Sequence, residues 1–246
     1  MDAAPQDDGL PLLVLQHRPW EHPGLVGAAV SGMPVVTRSV LDEPRDTLPS
    51  AGALGGVVVM GGPMGALDDD RHPGLAHERR LLADAVAADV PVLGVCLGMQ
   101  LLGAALGGVL TPGAAREIGF GRLELSPGGA TDRVLSPLAD GPHGPVVLHW
   151  HGDTVSLPSG ATMLASTSAT PVQAFRAGSA VGLQFHLEVG RAQLDEWLAT
   201  PEMTEDLTPE EVGSIRADGA RVLPDLLGTA TAVFSSFADA VRARRG

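Results

Sequence analysis

The chain has 246 residues, 44% of them hydrophobic, which is enough for a sizeable core and is commonly a single domain in α/β proteins of this length. A formal net charge of -13 leaves no basic stripe to replace the counterions of a polyanion, so no nucleic-acid partner is expected. Lysine, asparagine and tyrosine are absent, which removes a Walker-type phosphate loop, a Schiff base to pyridoxal phosphate, a Ser-Lys dyad and a Cys-His-Asn set.

Short runs rich in branched apolar side chains, bounded by Gly or Pro, fall at residues 12–16, 35–40, 56–60 and 91–95 and read as buried strands. Helix-like stretches lie between them, from Gly24 to Ser31 and from Leu75 to Ala88, where Leu75, Leu82 and Val86 fall near one face. This alternation predicts a mostly parallel sheet with helices on both faces. Further strand-like segments at 117–125, 145–149, 161–165, 172–175 and 180–185 are separated by turn residues and predict a mixed extension of the sheet. From about residue 190 the pattern is helical, with the acidic stretch Thr204 to Gly213 read as an exposed connection. Val233, Phe234, Phe237 and Val241 recur at helical spacing before Arg242, Arg244 and Arg245, so the phenylalanines should face inward. We expect one domain over residues 1–246, with a core over about 10–200 and a helical extension over about 201–246.

A lone cysteine cannot close an internal disulfide, and the N-terminal segment shows no basic head followed by an apolar run and a small-residue cleavage site. A reducing, cytoplasmic setting is expected. No apolar run approaches the roughly 20 residues of a membrane helix, so no membrane association is expected.

The sharpest motif is Gly94-Val95-Cys96-Leu97-Gly98, where an apolar strand turns into a helix-like run. A nucleophile on such a strained elbow needs small neighbours on both sides, which Gly94 and Gly98 supply. The turn puts Cys96 at a helix N-terminus, whose free amides and dipole favour a thiolate. A single buried cysteine is ordinarily a small hydrophobe; the elbow is what argues otherwise. Residues 182–189 read Gly-Leu-Gln-Phe-His-Leu-Glu-Val, so in an extended segment His186 and Glu188 point the same way. His186 could then serve Cys96 as base and acid, with Glu188 fixing its tautomer, although a lone His-x-Glu pair is common on solvated strands. The loop Met60-Gly61-Gly62-Pro63-Met64-Gly65 follows the third strand, at the edge where such sheets bind ligands. Its Gly62 amide and that of Leu97 are the candidate oxyanion donors, whereas alone the loop would read as an ordinary turn.

These three segments together resemble the class I glutamine amidotransferases, whose Gly-x-Cys-x-Gly-x-Gln elbow, late His-x-Glu and early Gly-Gly-Pro loop occur here in order. Asp68-Asp69-Asp70, Glu117-Ile118-Gly119, His149-Trp150-His151-Gly152-Asp153 and Val155 with Leu157-Pro158 add to the likeness and point to the free-standing, GMP synthetase-like branch. The resemblance implies a flavodoxin-like sheet and hydrolysis of the glutamine side-chain amide through a γ-glutamyl thioester, with release of ammonia. It places Gln100, Gly61, Gly152 and Asp153 among the residues that hold glutamine. It implies no cofactor and no metal, and suggests a separate ammonia-accepting synthetase subunit, because 246 residues leave no room for a synthetase domain beyond this fold.

Four other readings compete. The same Cys-His-Glu set could cleave γ-glutamyl conjugates as a hydrolase or peptidase. The fold could serve as a silent regulatory or binding subunit, and a redox-sensing thiol would lack a resolving cysteine. His149 and His151 could ligate zinc, yet the chain offers no second cysteine and the pair already lies within the resemblance.

Overall fold

A computed structural model of the chain describes residues 9–139 and 144–245. The expectation about the N-terminal leader falls partly on residues 1–8, outside this set. The elements, in order, are β1 (Leu12–Leu15), α1 (Gly24–Ala29), β2 (Val35–Arg38), β3 (Gly56–Val59), α2 (Gly74–Ala87), β4 (Val92–Val95), α3 (Leu97–Ala105), β5 (Leu110–Thr111), β6 (Glu117–Arg122), β7 (Glu124–Leu125), α4 (Pro127–Ala130), β8 (Val146–His151), β9 (Thr154–Val155), β10 (Thr162–Ser166), β11 (Ala174–Ala177), β12 (Ala180–Leu183), α5 (Arg191–Trp197), α6 (Pro201–Thr204) and α7 (Pro209–Arg245).

The main sheet runs β2-β1-β3-β4-β12-β11-β10-β7. Its first five strands pair in parallel, giving the flavodoxin-like order, and the remaining three add on antiparallel. Strands β1, β3, β4 and β12 are buried along their whole length, which is why they read as unbroken apolar runs rather than as alternating ones. Edge strand β2 exposes Val35 and Val36.

Alternation along the strands divides the core. Leu12, Val14, Val58, Met60, Leu93 and Val95 share one cluster with Val222, Leu226, Val233, Phe234, Phe237 and Val241 of α7. Leu13, Leu15, Val57, Val59 and Val92 share the opposite cluster with Leu75 and Leu82 of α2 and Leu101 and Leu102 of α3. Phe234 and Phe237 are therefore buried, as their spacing predicts, and lie against the central strands.

Two expectations need correction. The acidic stretch from Thr204 to Gly213 is not wholly a connection, because α7 starts inside it at Pro209. The Thr208 hydroxyl accepts from the Glu211 amide (3.2 Å) while the Glu211 carboxylate accepts from the Thr208 amide (2.7 Å), a reciprocal cap that makes this acidic segment a helix start. Residues 117–122 and 146–151 do not extend the main sheet either; β6 and β8 form their own antiparallel ladder, with Glu117 opposite His151 and Gly119 opposite His149. That ladder meets the segment just past the carboxyl end of β12, a central strand of the main sheet, through a bridge between Leu148 and His186. Among the described residues, no helix is long and apolar enough to cross a membrane.

Candidate active site

Cys96 stands at the carboxyl end of β4 with φ 51° and ψ −105°, a left-handed conformation that costs a non-glycine residue energy and is held only by its surroundings. Those surroundings are tight. A Cβ on Gly94 would lie 2.5 Å from the Gly98 carbonyl oxygen, and one on Gly98 only 2.1 Å from that of Val59. The Cys96 amide donates to the Leu183 carbonyl (2.7 Å), tying the elbow to β12. The strained elbow expected from Gly-Val-Cys-Leu-Gly is present in each of these details.

The β12 exit carries the other half of the site. His186 donates its backbone amide to Leu148 (2.8 Å), and its Nδ1 lies 2.7 Å from Glu188 Oε1 with both side chains buried. Burial alone would push the imidazole down, but the Glu188 carboxylate and the adjoining Cys96 side chain raise its pKa well above the ordinary value. The ring is braced from below by Trp197 of α5, whose indole meets it edge-on at 4.9 Å and is fixed by a 2.7 Å bond from its Nε1 to the Trp20 carbonyl. The thiol itself is directed at the Trp150 carbonyl (3.7 Å) and receives Gln184 Nε2 (3.6 Å).

Gly62 packs against the elbow: a Cβ there would lie 2.9 Å from Leu97 Cδ2. Among the described residues, neither the Gly62 nor the Leu97 amide donates to a protein acceptor. Gly61 lies behind this pair, with its carbonyl held by His17 Nδ1 at 2.8 Å and its face covered by Glu21.

A cleft of about 480 Å³ opens above the thiol, within the size range of small-molecule sites of about 300–1,000 Å³. Cys96, Gly62, Gln100, Gly152 and Asp153 border it, so four of the expected substrate and oxyanion positions meet Cys96 there, whereas Gly61 and Leu97 do not line it. The Gln100 amide nitrogen is engaged by the Asp153 carbonyl and Gln184 Oε1, both at 3.2 Å. Glu202, Glu205, Asp206 and Arg116 also line the cleft, and the Arg116 guanidinium donates to the Asp206 carbonyl at 3.2 Å.

His149 and His151, considered above as metal ligands, are joined by Glu117, and one donor atom from each of the three lies within 4.8 Å of the others. The carboxylate of Glu117 already accepts from Thr167 and Gln173 at 2.8 Å and from Thr170 at 2.5 Å. Gln173 also reaches His151 Nε2 at 3.3 Å, and burial holds the His151 imidazole down at about 4 despite the carboxylate beside it. These contacts link β6 and β8 to the 167–173 loop behind the cleft.

The loop after β1 supplies residues with no counterpart in the sequence motifs. Buried His17 bonds Glu78 Oε2 of α2 at 3.0 Å as well as the Gly61 carbonyl, and Glu21 is buried beside them. Their signal in the sequence is positional only: the loop leaves a central parallel strand at the edge where ligands bind.

Residues 34–200 match the family described as glutamine amidotransferase class-I. The GMP synthase [glutamine-hydrolyzing] of Nitrosomonas eutropha is 34% identical over 208 residues, a stretch that covers 76% of this chain and 37% of the synthase. The corresponding enzyme of Neisseria meningitidis is 32% identical over 64% of this chain and 29% of its own length, so the chain spans about a third of the GMP synthases it matches. Among solved structures, a glutamine amido transferase from Methylobacillus flagellatus superimposes with a TM-score of 0.82 at 28% identity, covering 95% of this chain and 96% of that one. One from Thermotoga maritima gives 0.78 at 26% identity, covering 94% and 99%.

Proposed function

This chain belongs to the class I glutamine amidotransferase family, and from that premise we propose that it hydrolyses the side-chain amide of glutamine and releases ammonia for a separate acceptor enzyme. The observation that carries the reading is the left-handed Cys96 elbow, with the Gly62 and Leu97 amides unspent on one side and the His186–Glu188 pair on the other.

In the proposed cycle the Cys96 proton passes to His186, and the thiolate Sγ attacks the amide carbon of glutamine. Negative charge gathers on the carbonyl oxygen, where the two amides receive it. The imidazolium, held by Glu188, returns the proton to the departing nitrogen, so ammonia leaves and a γ-glutamyl thioester remains. Water then attacks the thioester while His186 takes its proton, giving glutamate and restoring the thiol. Gln100, Gly152 and Asp153 border the cleft where the glutamine head would rest. A synthetase as acceptor is suggested by the GMP synthase relatives.

One observation favours a second reading, hydrolysis of γ-glutamyl amines. Glu202, Glu205 and Asp206 outnumber Arg116 along the cleft, which suits a substrate whose leaving amine carries positive charge. Ammonia or amine release from glutamine and from γ-glutamyl diamines, measured side by side with Cys96→Ser as blank, tests both. Turnover of glutamine with the larger kcat/KM supports the amidotransferase; preference for the diamine conjugate replaces it with the second reading.

A further inference from the structure

Glu21 is 6% exposed, yet its Oε2 takes no hydrogen bond among the described residues. That oxygen presses on the glycine loop: a Cβ built on Gly61 would lie 2.1 Å from it. The groups whose charge it feels are His186 and Glu188 from the β12 exit and His17 and Arg18 from its own loop, while Glu78 of α2 reaches the neighbourhood through His17. Glu188 carries a matching defect, because Oε1 is held by His186 but Oε2 is buried with no donor. Two buried carboxylates beside one imidazole are costly if both are ionised, so one of them is best held neutral. Glu188 is the carboxylate already engaged by the imidazole, through the 2.7 Å contact of Oε1 to His186 Nδ1, so Glu21, whose Oε2 has no donor, is the candidate for the neutral member. Burial pushes the Glu21 carboxyl up to about 7, with Glu188 adding to the rise and His186, His17 and Arg18 opposing it.

We propose that Glu21 is a positioning residue whose neutral carboxyl backs Gly61 and leaves His186 to Glu188 alone. The proposal rests on the reading of Cys96, His186 and Glu188 as the reactive set. In its neutral form Glu21 fills the space behind the glycine loop and keeps the Gly62 amide aimed at the elbow. Once ionised, it becomes a second anion that competes with Glu188 for the His186 imidazolium and draws the ring away from its line to Cys96. The residue touches no substrate and acts through the loop and the histidine.

The test compares the parent with Glu21→Gln, which keeps shape and neutrality, and Glu21→Ala, which removes the backing. Between pH 6.5 and 8.5 the parent kcat should fall about tenfold as Glu21 loses its proton, and in Glu21→Gln that fall should shrink to less than about threefold. Glu21→Ala should lose about tenfold in kcat at pH 6 with a smaller change in KM, and Glu21→Gln should restore most of the loss. The rate of Cys96 alkylation by iodoacetamide at pH 6 gives a second readout that needs no turnover, and it should fall in Glu21→Ala and recover in Glu21→Gln. An alkaline fall of the same size in Glu21→Gln, or parent kinetics and alkylation in Glu21→Ala, overturns the proposal. If Glu21→Ala does not fold, as judged by circular dichroism, the Glu21→Gln profile decides alone. If the parent turns over no γ-glutamyl amide, the functional reading fails while the alkylation rates still decide the role of Glu21.

Discussion

A Cβ placed on Gly98 would lie 2.1 Å from the carbonyl oxygen of Val59, and its next neighbours are the Val59 carbonyl carbon and Cβ. The first turn of α3 is thus seated directly on β3, and the Cys96 backbone is held left-handed between that contact and β12. Gly98→Ala would push helix and strand apart and rotate the elbow. It should cost about 1–3 kcal/mol by overpacking, seen as a lowered thermal midpoint, and should reduce turnover more than the stability loss explains. A melt and turnover like those of the parent would show that the seating does not matter.

The buried pair predicts an order of damage. Cys96→Ser and His186→Ala should each remove nearly all glutamine turnover, about a thousandfold or more, because in the proposed cycle the two side chains act as a unit. Glu188→Gln keeps a side chain against His186 Nδ1 and should cost less, about ten- to a hundredfold, mainly in kcat. Steady-state kinetics on the three variants checks the order; a Glu188→Gln loss equal to that of His186→Ala would give Glu188 more than an orienting role.

His17 and Glu78 form a buried pair beneath the glycine loop. Burial lowers the His17 pKa, but the Glu78 carboxylate more than offsets this and the net shift is upward. With the folded value above the ordinary 6.5, the pair's contribution to stability is fully present below that pH and is lost as pH rises through the folded value. The thermal midpoint of the parent should therefore drop on going from pH 6 to the alkaline side by more than that of a His17→Gln, Glu78→Gln double variant. His17→Ala alone leaves a buried carboxylate without its partner and should destabilise by about 3–5 kcal/mol. Equal pH slopes in parent and double variant would remove this assignment.

Glu117, His149 and His151 give the protein its one candidate metal cluster among the described residues, and the carboxylate is already bonded by Thr167, Thr170 and Gln173. Turnover should be unaffected by prolonged dialysis against a chelator, and purified protein should hold well under one equivalent of zinc by elemental analysis. A stoichiometric ion would assign these residues a metal-binding role.

The central strands were legible because β1, β3, β4 and β12 are buried on both faces and are apolar throughout. Strands β5 and β9 have two residues each and exist only through pairing with one another, so no local pattern could announce them. The body of α7 was legible despite Pro224 and the glycines at 219 and 228, because Val222, Leu226, Val233 and Phe237 keep a helical spacing into the core, whereas its start at Pro209 was hidden because the Thr208–Glu211 cap lies in an acidic stretch that reads as an exposed connection. Cys96, Gly62, His186 and Glu188 could be named because elbow, loop and His-x-Glu spacing are local. His17 and Glu21 could not, since what distinguishes them is distant in the chain: Glu78 is 61 residues from His17, and the Glu188 beside Glu21 comes from the β12 exit.

The central claim is that Cys96 is a glutamine-reactive nucleophile, and it is met most directly by incubating the protein with a diazo-ketone analogue of glutamine and locating the adduct by peptide mass spectrometry. The account predicts a single adduct on Cys96, prevented by excess glutamine and absent from Cys96→Ala. A Cys96 thiol that iodoacetamide alkylates readily but the glutamine analogue leaves untouched would contradict it.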